Sequence, residues 1–210
     1  MFTGIIQATA RIIQFEPRLG TWRLGLQCTP ELSNTLQIGA SIAVDGVCLT
    51  VVEFQKTCIF FDIIAETYHR TTLQTIQVGE CVNIERAIRF GDEIGGHWLS
   101  GHIQSTATIV AIDQSHQQYI VTCQTTEEWI KYLFPKGYIG LSGASLTIVT
   151  VNLEQRTFSV HLIPETLRIT NLGVKRVGMA LNLEIDYQTQ VMVTTVMRVL
   201  PDILDKIHTK

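Results

Sequence analysis

The sequence predicts an all-β protein built from two similar six-stranded, Greek-key-like barrels in tandem, followed by a C-terminal helix. Three observations support this fold class. Blocks of the first half recur in the second half, apolar residues alternate with polar ones inside each repeat, and the period of the apolar residues changes in the C-terminal tail. Alternation is typical of strands, whereas a spacing of three or four residues is typical of an amphipathic helix.

The tandem repeat is visible in four pairs of matched blocks. TGIIQATA at residue 3 matches SGHIQSTA at residue 100, and VDGVCLTV at residue 44 matches LSGASLTI at residue 141, both at a spacing of 97 residues. FDIIAETYHRTTL at residue 61 matches VHLIPETLRITNL at residue 160, and VGECVNIE at residue 78 matches VGMALNLE at residue 177, both at a spacing of 99. The two extra residues fall near 152–156, where a polar hairpin turn can lengthen without disturbing its strands.

Each repeat is predicted to contain about six short strands. Leu24 and Leu26 alternate with polar neighbours such as Arg23, the pattern of a strand with one buried face. Six short strands in roughly 95 residues are too few for two well-covered open sheets, and a closed barrel removes exposed edges. We therefore assign 1–97 to an N-terminal barrel and 98–188 to a C-terminal barrel. Short helical segments are predicted to begin near Glu31, Glu66, Glu127 and Glu165.

The tail, residues 189–210, is predicted to form an amphipathic helix. Its apolar residues recur every three or four positions, at Met192, Val196, Leu200, Ile203 and Ile207. Pro201 has no amide hydrogen and clashes with the preceding turn of a helix, so we expect a break near Leu200. The helix could pack on its own barrel or serve oligomerisation, and the pattern alone leaves both open.

Composition and charge argue against several classes of protein. Basic residues number 16 against 19 acidic ones and are scattered, so nucleic acid is not an expected partner. No basic region precedes the first apolar residues, and no apolar stretch approaches the roughly 18 residues that a membrane span needs. The five cysteines are odd in number and lack CxxC spacing, so neither a disulfide framework nor a zinc site is predicted. We expect a cytoplasmic protein without metal or membrane association.

Positions at which the repeats differ are candidates for specialised chemistry. Ile5 corresponds to His102, and Cys48 corresponds to Ser145. A histidine takes and returns protons near neutral pH, while thiol and hydroxyl groups can add to an electrophilic carbon. The alternative is that these residues serve only packing or the surface, which is their commoner role. His97 lies five residues before His102, which predicts opposite faces of a strand and argues against a shared metal.

Several blocks together resemble the riboflavin synthase family. They are MFTGI at the start, SIAVDGVCLTV, GDEIGGHWLSGHI between the repeats, SLTI, HLIPETL and NLEIDYQTQ, and the resemblance covers essentially the whole chain. It implies an enzyme that converts two molecules of 6,7-dimethyl-8-ribityllumazine into riboflavin and 5-amino-6-(ribitylamino)uracil by transferring a four-carbon unit. It also implies no cofactor, a homotrimer in which the N-terminal barrel of one subunit meets the C-terminal barrel of a neighbour, and lumazine synthase as a candidate partner.

By this resemblance each barrel binds one lumazine, and two similar pockets suit a reaction between two identical molecules. Holding both reactants in register removes up to about 7 to 11 kcal/mol of the barrier to a bimolecular step. The N-terminal pocket would be lined by Gly4, Ile5, Ile6, Cys48, Leu49, Thr50, Asp62, Ile63, Ile64, Ala65, Glu66 and Thr67. The C-terminal pocket would be lined by Gly101, His102, Ile103, Ser145, Leu146, Thr147, His161, Leu162, Ile163, Pro164, Glu165 and Thr166, with Lys136 reaching the ligand.

The resemblance leads to a mechanistic hypothesis with four catalytic residues. A nucleophile, which is Ser145, Cys48 or a water molecule, adds to one lumazine. His102, helped by Thr147, removes a proton from the 7-methyl group of the other lumazine. The resulting carbanion attacks, and two eliminations follow.

One departure and one rival interpretation accompany this hypothesis. Ser142 stands where the second repeat of the family has an aspartate before the glycine, while Asp45 keeps the acid in the first repeat. The rival is a carrier that binds a lumazine or flavin on the same fold without turnover, since fold alone does not separate the two. Retention of His102, Cys48 and Ser145 favours the enzyme.

Overall fold

The computed structural model describes residues 1–115 and 118–208, and within these ranges the chain forms two closed barrels. The first barrel consists of β1 (Ala8–Arg18), β2 (Thr21–Gln27), β3 (Ser41–Val44), β4 (Val47–Gln55), β5 (Cys58–Ile64) and β6 (Cys81–Arg86). Its strands follow the order β1-β2-β5-β4-β3-β6, so that β6 returns beside β3 after the hairpins β3-β4-β5. That arrangement is a Greek key.

The second barrel repeats the first. It consists of β7 (Ser105–Asp113), β8 (Ile120–Gln124), β9 (Tyr138–Leu141), β10 (Ala144–Asn152), β11 (Thr157–His161) and β12 (Ala180–Ile185). The order around its wall is β7-β8-β11-β10-β9-β12, which is the order of the first barrel. The predicted pair of six-stranded Greek-key-like barrels is therefore confirmed, and so is the longer hairpin, because four residues join β10 to β11 where two join β4 to β5.

Helices are short, except for the last. They are α1 (Pro30–Ser33), α2 (Ala65–Arg70), α3 (Glu127–Ile130), α4 (Pro164–Ile169) and α5 (Tyr187–His208), with 3-10 turns at Thr72–Gln74 and Asn171–Val174. The predicted helical segments and the predicted C-terminal helix are confirmed. The expected break near Leu200 is wrong, because α5 continues through Pro201. A proline removes its own hydrogen bond and crowds the preceding turn, but its fixed φ is close to helical, so the residues on both sides carry the helix past it.

The strands turn one face to the barrel interior and the other outwards. In β4, the buried side chains of Val47, Leu49 and Val51 alternate with the more exposed ones of Cys48 and Thr50. β10 has the same burial pattern as β4. The reactive side chains of both strands therefore face away from the apolar cores.

The barrels exchange short segments, and this exchange places the candidate site. Ile6 packs in the core of the second barrel, and Ile103 packs in the core of the first. Residues 3–6 and 100–103 are called the first and second exchanged segments below. Glu85 of β6 holds the first of them, accepting hydrogen bonds from the amide of Thr3 at 2.6 Å and from the amide of Gly4 at 3.0 Å.

Glu184 of β12 holds the second exchanged segment in the equivalent way. It accepts hydrogen bonds from the amide of Ser100 at 2.6 Å and from the amide of Gly101 at 3.1 Å. Phe2 and Leu99, just before the two segments, pair through two backbone hydrogen bonds of 2.8 and 3.0 Å. Burial raises the pKa of the Glu184 carboxyl, and the hydrogen bonds from Ser100 and Gly101 partly oppose that rise.

A buried polar seam also joins the barrels. Asn83 donates from its side-chain nitrogen to the carbonyl of Ser142 at 2.9 Å, and Asn182 donates likewise to the carbonyl of Asp45 at 2.8 Å. The Asp45 carboxylate accepts from the side chain of Asn171 at 3.0 Å. Buried polar groups need partners, so these crossed bonds fix the relative position of the two turns that precede β4 and β10.

Candidate active site

The second exchanged segment lies against Cys48 on the outside of the first barrel. The Cys48 amide donates to the carbonyl of Gly101 at 2.9 Å. A cavity of about 270 Å³ opens here, lined by Val47, Cys48, Glu66, Thr67, Arg70, Thr71, Gly101, His102 and Ile103. This cavity and its lining are called the Cys48 site. His102 is exposed, and its amide donates to the Ser100 hydroxyl at 3.2 Å.

The first exchanged segment lies against Ser145 on the outside of the second barrel. The Ser145 amide donates to the carbonyl of Gly4 at 2.8 Å. A Cβ atom at Gly4 would lie 2.5 Å from the Cβ of Ser145, and the φ of Gly4 is +74°, so only glycine fits this approach. The surroundings of Ser145, with residues 4–6 and 95–97, are called the Ser145 site.

His97 belongs to the Ser145 site, which the sequence analysis did not predict. Its Nδ1 lies 2.6 Å from the Ser145 Oγ, and its ring stacks on that of Tyr138 with centroids 5.1 Å apart. Burial lowers the pKa of the imidazole, and the charge of Asp186 acts in the opposite direction. The glycine pair just before His97 was the one signal in the sequence for a close approach of the chain here. A Cβ at Gly96 would lie 2.1 Å from the carbonyl oxygen of Thr3, so only glycine fits.

The predicted grouping of segments into pockets is wrong. His102 lies with Cys48, and residues 4–6 lie with Ser145, because each exchanged segment packs on the barrel of the other repeat. Thr147 on β10 pairs with Tyr138 of β9, whose ring stacks on His97 in the Ser145 site, whereas His102 lines the Cys48 site. The expectation that His97 and His102 share one strand is also wrong, since residues 95–104 form no strand beyond a single bridge at Leu99.

The other predicted site residues divide by the direction of their side chains. Exposed or half-buried side chains belong to Ile5, Thr50, Asp62, Ile64, Ala65, Glu66, Thr67, Lys136, His161, Ile163, Pro164, Glu165 and Thr166. Buried side chains belong to Ile6, Leu49, Ile63, Ile103, Leu146 and Leu162, which pack in the barrel cores. The buried group can meet a bulky ligand only through its backbone.

Several predicted binding residues are engaged in ion pairs. Arg23, only 9% exposed, donates to Asp62 at 2.7 Å and to Glu53 at 3.2 Å. Glu66 pairs with Arg70 at 3.0 Å across one turn of α2, and both side chains line the Cys48 site. The exposed Glu66–Arg70 pair contributes about 0 to 1 kcal/mol, so it can open to meet a ligand at little cost.

Ser142 takes over the turn in which an acid was expected. Its φ is +44°, like that of Asp45, and its hydroxyl accepts a hydrogen bond from the amide of Asn182 at 3.3 Å. Asp45 makes the equivalent bond to the amide of Asn83 at 2.7 Å. The serine therefore preserves the turn without the charge.

Residues 1–115 and 118–208 contain neither a cluster suited to a metal ion nor a helix suited to a membrane. No group of three or more histidine, cysteine, aspartate or glutamate residues in these ranges is arranged to hold a metal ion. No helix in the same ranges has the length and apolar character needed to cross a membrane.

Comparison with known proteins identifies the family of this double barrel. The family model described as lumazine binding domain matches residues 3–87 and 100–186. The riboflavin synthase of Chlamydia pneumoniae is 45% identical over 200 residues, covering 95% of this chain and 97% of that protein. The chain belongs to the riboflavin synthase family. The riboflavin synthase of Escherichia coli (strain K12) is 43% identical over 202 residues, covering 95% of this chain and 93% of that protein.

Solved structures agree with this placement in the riboflavin synthase family. LumP complexed with riboflavin has a TM-score of 0.80 at 28% identity, covering 88% of this chain and 99% of that one. LumP complexed with 6,7-dimethyl-8-(1'-D-ribityl) lumazine has a TM-score of 0.79 at 25% identity. Sequence identity is thus higher to the riboflavin synthases than to LumP, which favours the enzyme over the carrier.

Proposed function

We propose that this chain is a riboflavin synthase that converts two molecules of 6,7-dimethyl-8-ribityllumazine into riboflavin and 5-amino-6-(ribitylamino)uracil. One lumazine donates a four-carbon unit and the other accepts it, so the reaction balances without an oxidant, a reductant or a cofactor. The observation that carries the proposal is the pair of related sites with different reactive groups. Cys48 and His102 stand in one site, and Ser145 and Thr147 stand in the equivalent site.

The two sites suit different halves of the reaction. At the Cys48 site, the exposed imidazole of His102 is the group that removes a proton from the 7-methyl group of the bound lumazine. At the Ser145 site, a hydroxyl can add to the second lumazine and prepare it for attack. Thr147 lies on β10, and the Lys136 amide donates to the carbonyl of Ile148 on the same strand at 2.8 Å. Both side chains contact the second ligand in this proposal. Glu66 and Glu165, at equivalent positions of α2 and α4, hold the two ligands in related orientations.

The reaction needs the two ligands to meet, and we assign that task to a homotrimer. Apolar side chains of α5 remain 44 to 62% exposed at Val191, Met192, Val196, Met197, Leu200 and Ile203. A contiguous exposed apolar surface of this kind marks an interface in soluble proteins. Assembly through α5 would bring the Cys48 site of one chain against the Ser145 site of its neighbour, with cyclic symmetry making all three shared sites equal.

The proposed location of the enzyme is the cytoplasm. None of the five cysteines, all of which fall in the described ranges, forms a disulfide, as expected in a reducing compartment such as the cytoplasm. Lumazine synthase, which would supply the substrate, is the second protein partner that we propose.

A turnover assay tests the proposed function. The purified protein is mixed with 6,7-dimethyl-8-ribityllumazine alone, and riboflavin and the pyrimidine should appear in equal amounts over many turnovers. His102→Gln should lower turnover on the order of 100-fold while ligand affinity is retained, because a positioned proton acceptor typically contributes that much or more. His69→Gln, an exposed histidine of α2 outside the lining of the Cys48 site, is the control.

Two outcomes would contradict this assignment. Retention of one bound chromophore without turnover would favour the carrier. Unchanged turnover in His102→Gln would remove His102 from the mechanism while leaving the reaction itself in place.

A further inference from the structure

His97 is buried, yet the hydrogen bonds of its side chain are not those of a histidine that only stabilises the fold. Its side chain is 6% exposed, and its Nδ1 is bonded to the Ser145 hydroxyl at 2.6 Å. Its Nε2 is buried and has no hydrogen-bond partner among the described residues. A histidine kept for stability alone would satisfy both ring nitrogens, because a buried polar atom without a partner is costly.

The surroundings hold this imidazole in a single orientation. The Tyr138 ring lies nearly parallel to it, at an angle of 14°. Gly96 and Gly4 both approach Ser145 closely, since a Cβ at Gly96 would lie 2.9 Å from the Ser145 Oγ and a Cβ at Gly4 would lie 2.5 Å from the Ser145 Cβ. The serine therefore has its amide fixed by Gly4 and its hydroxyl fixed by His97.

The Cys48 site lacks this arrangement. In the described part of the chain, no histidine nitrogen lies within hydrogen-bond distance of the Cys48 thiol. The imidazole of that site, His102, is exposed instead of buried. The two sites, which the repeat relates, therefore differ in the partner of their reactive atom. Among the described residues, a buried imidazole is hydrogen-bonded to the Ser145 hydroxyl, and none is bonded to the Cys48 thiol.

We propose that His97 is a positioning residue for Ser145, holding its Oγ in the orientation in which it acts on the lumazine bound at the Ser145 site. The lowered pKa of His97 supports this, because a neutral imidazole can accept the hydroxyl proton whereas an imidazolium cannot. Ser145 rather than Cys48 is then the nucleophile of the reaction. This inference rests on the proposed function.

Steady-state kinetics on three substitutions at this position test the role. His97→Ala removes the bond and should lower kcat on the order of 100-fold with little change in KM. His97→Asn puts an amide oxygen near the position of Nδ1, so it should recover most of the lost turnover. His97→Gln puts its amide near the position of Nε2, cannot reach Ser145 in the same way, and should behave like His97→Ala. Thermal unfolding of each variant identifies any that fails to fold.

A double-mutant cycle with Ser145→Ala gives the decisive result. If His97 acts through Ser145, His97→Ala should lower kcat no further in the Ser145→Ala background. An equal loss in both backgrounds, or full activity of His97→Ala, would overturn the proposal. These outcomes require that the wild-type protein turns over lumazine, so absent wild-type turnover would instead refute the proposed function. If the three variants unfold at the same temperature, a difference in stability cannot explain a difference in turnover. Recovery of turnover by His97→Asn alone would then separate a positioning role from a purely structural one.

Discussion

Replacing Asp45 by asparagine should reduce the pH dependence of the free energy of unfolding. Asp45 belongs to the buried polar seam between the barrels, and its carboxyl is the group whose titration the substitution removes. Asp45 is 2% exposed, and its Oδ1 accepts hydrogen bonds from Asn83 and Asn171. Burial nevertheless raises the pKa of its carboxyl from 3.8 to about 6. Asparagine keeps an oxygen for both donors and tolerates the left-handed backbone at this position, where φ is +44°, so the substitution mainly removes the charge.

The sign and the size of the effect follow from that raised pKa. Between about pH 4 and pH 6 the folded chain holds the proton of Asp45 more tightly than the unfolded chain does, so acidification stabilises the fold. This stabilisation is complete below the unfolded pKa and is lost as the pH rises through about 6. Each tenfold difference in proton affinity is worth about 1.4 kcal/mol, so the free energy of unfolding gains on the order of 3 kcal/mol between pH 8 and pH 4. Asp45→Asn should lack that gain.

Urea denaturation of both proteins at several pH values from 4.5 to 8 measures the difference, at one protein concentration and one ionic strength. Other titrating groups are common to both proteins and cancel in the comparison. Asp92→Asn, which removes an exposed carboxylate of the linker between the barrels, is the control and should follow the wild type. The free energies of unfolding of Asp45→Asn and wild type are then plotted against pH. Parallel plots over this range would refute the reasoning, because burying the charge of Asp45 would then not destabilise the fold.

Two more predictions concern the exchanged segments and α5. Gly101→Ala places a Cβ 2.6 Å from the Cβ of Cys48 at a φ of +78°, whereas Gly20→Ala meets nothing within 4 Å at a φ of +79°. Both substitutions add backbone strain of about 1 to 2 kcal/mol, because each places a side chain at a positive φ. Only Gly101→Ala also creates a clash with Cys48, so only this variant should weaken lumazine binding in calorimetry. Equal effects of the two variants on binding would show that the close approach of Gly101 to Cys48 is unimportant. Deletion of 187–210 should yield single chains in sedimentation and a large loss of turnover, and an active truncated monomer would contradict the shared site.

The fold was predictable because the same strand pattern occurs in both halves of the duplicated sequence. Matched blocks revealed two equal units, and the alternation around Leu24 and Leu26 identified strands with a buried face. Pro201 misled the prediction because its effect on a helix depends on the turns around it, and these continue on both sides. The outward direction of Cys48 and Ser145 agrees with the alternation of buried and exposed side chains along their strands, although the sequence analysis did not predict it.

The composition of the site was only partly predictable. An alignment of repeats shows that Ile5 and His102 are equivalent, but not on which barrel either residue packs. The exchange depends on contacts between distant parts of the chain, such as those of Glu85 and Glu184, which a spacing in sequence does not encode. His97 was missed as a partner of Ser145 because 48 positions separate the two residues, and only their folded geometry brings them together.

The crossing of residues 3–6 and 100–103 has a consequence for the origin of the molecule. Each half, taken alone, lacks the strip of chain that completes its outer wall and fills part of its core with Ile103 or Ile6. A single ancestral unit could satisfy that need only by trading ends with a twin, which makes a two-fold dimer the natural precursor. Fusion of such twins into one polypeptide allows the copies to diverge, so that one now carries a thiol and the other a hydroxyl. The asymmetry on which the chemistry depends would have been unavailable to identical partners.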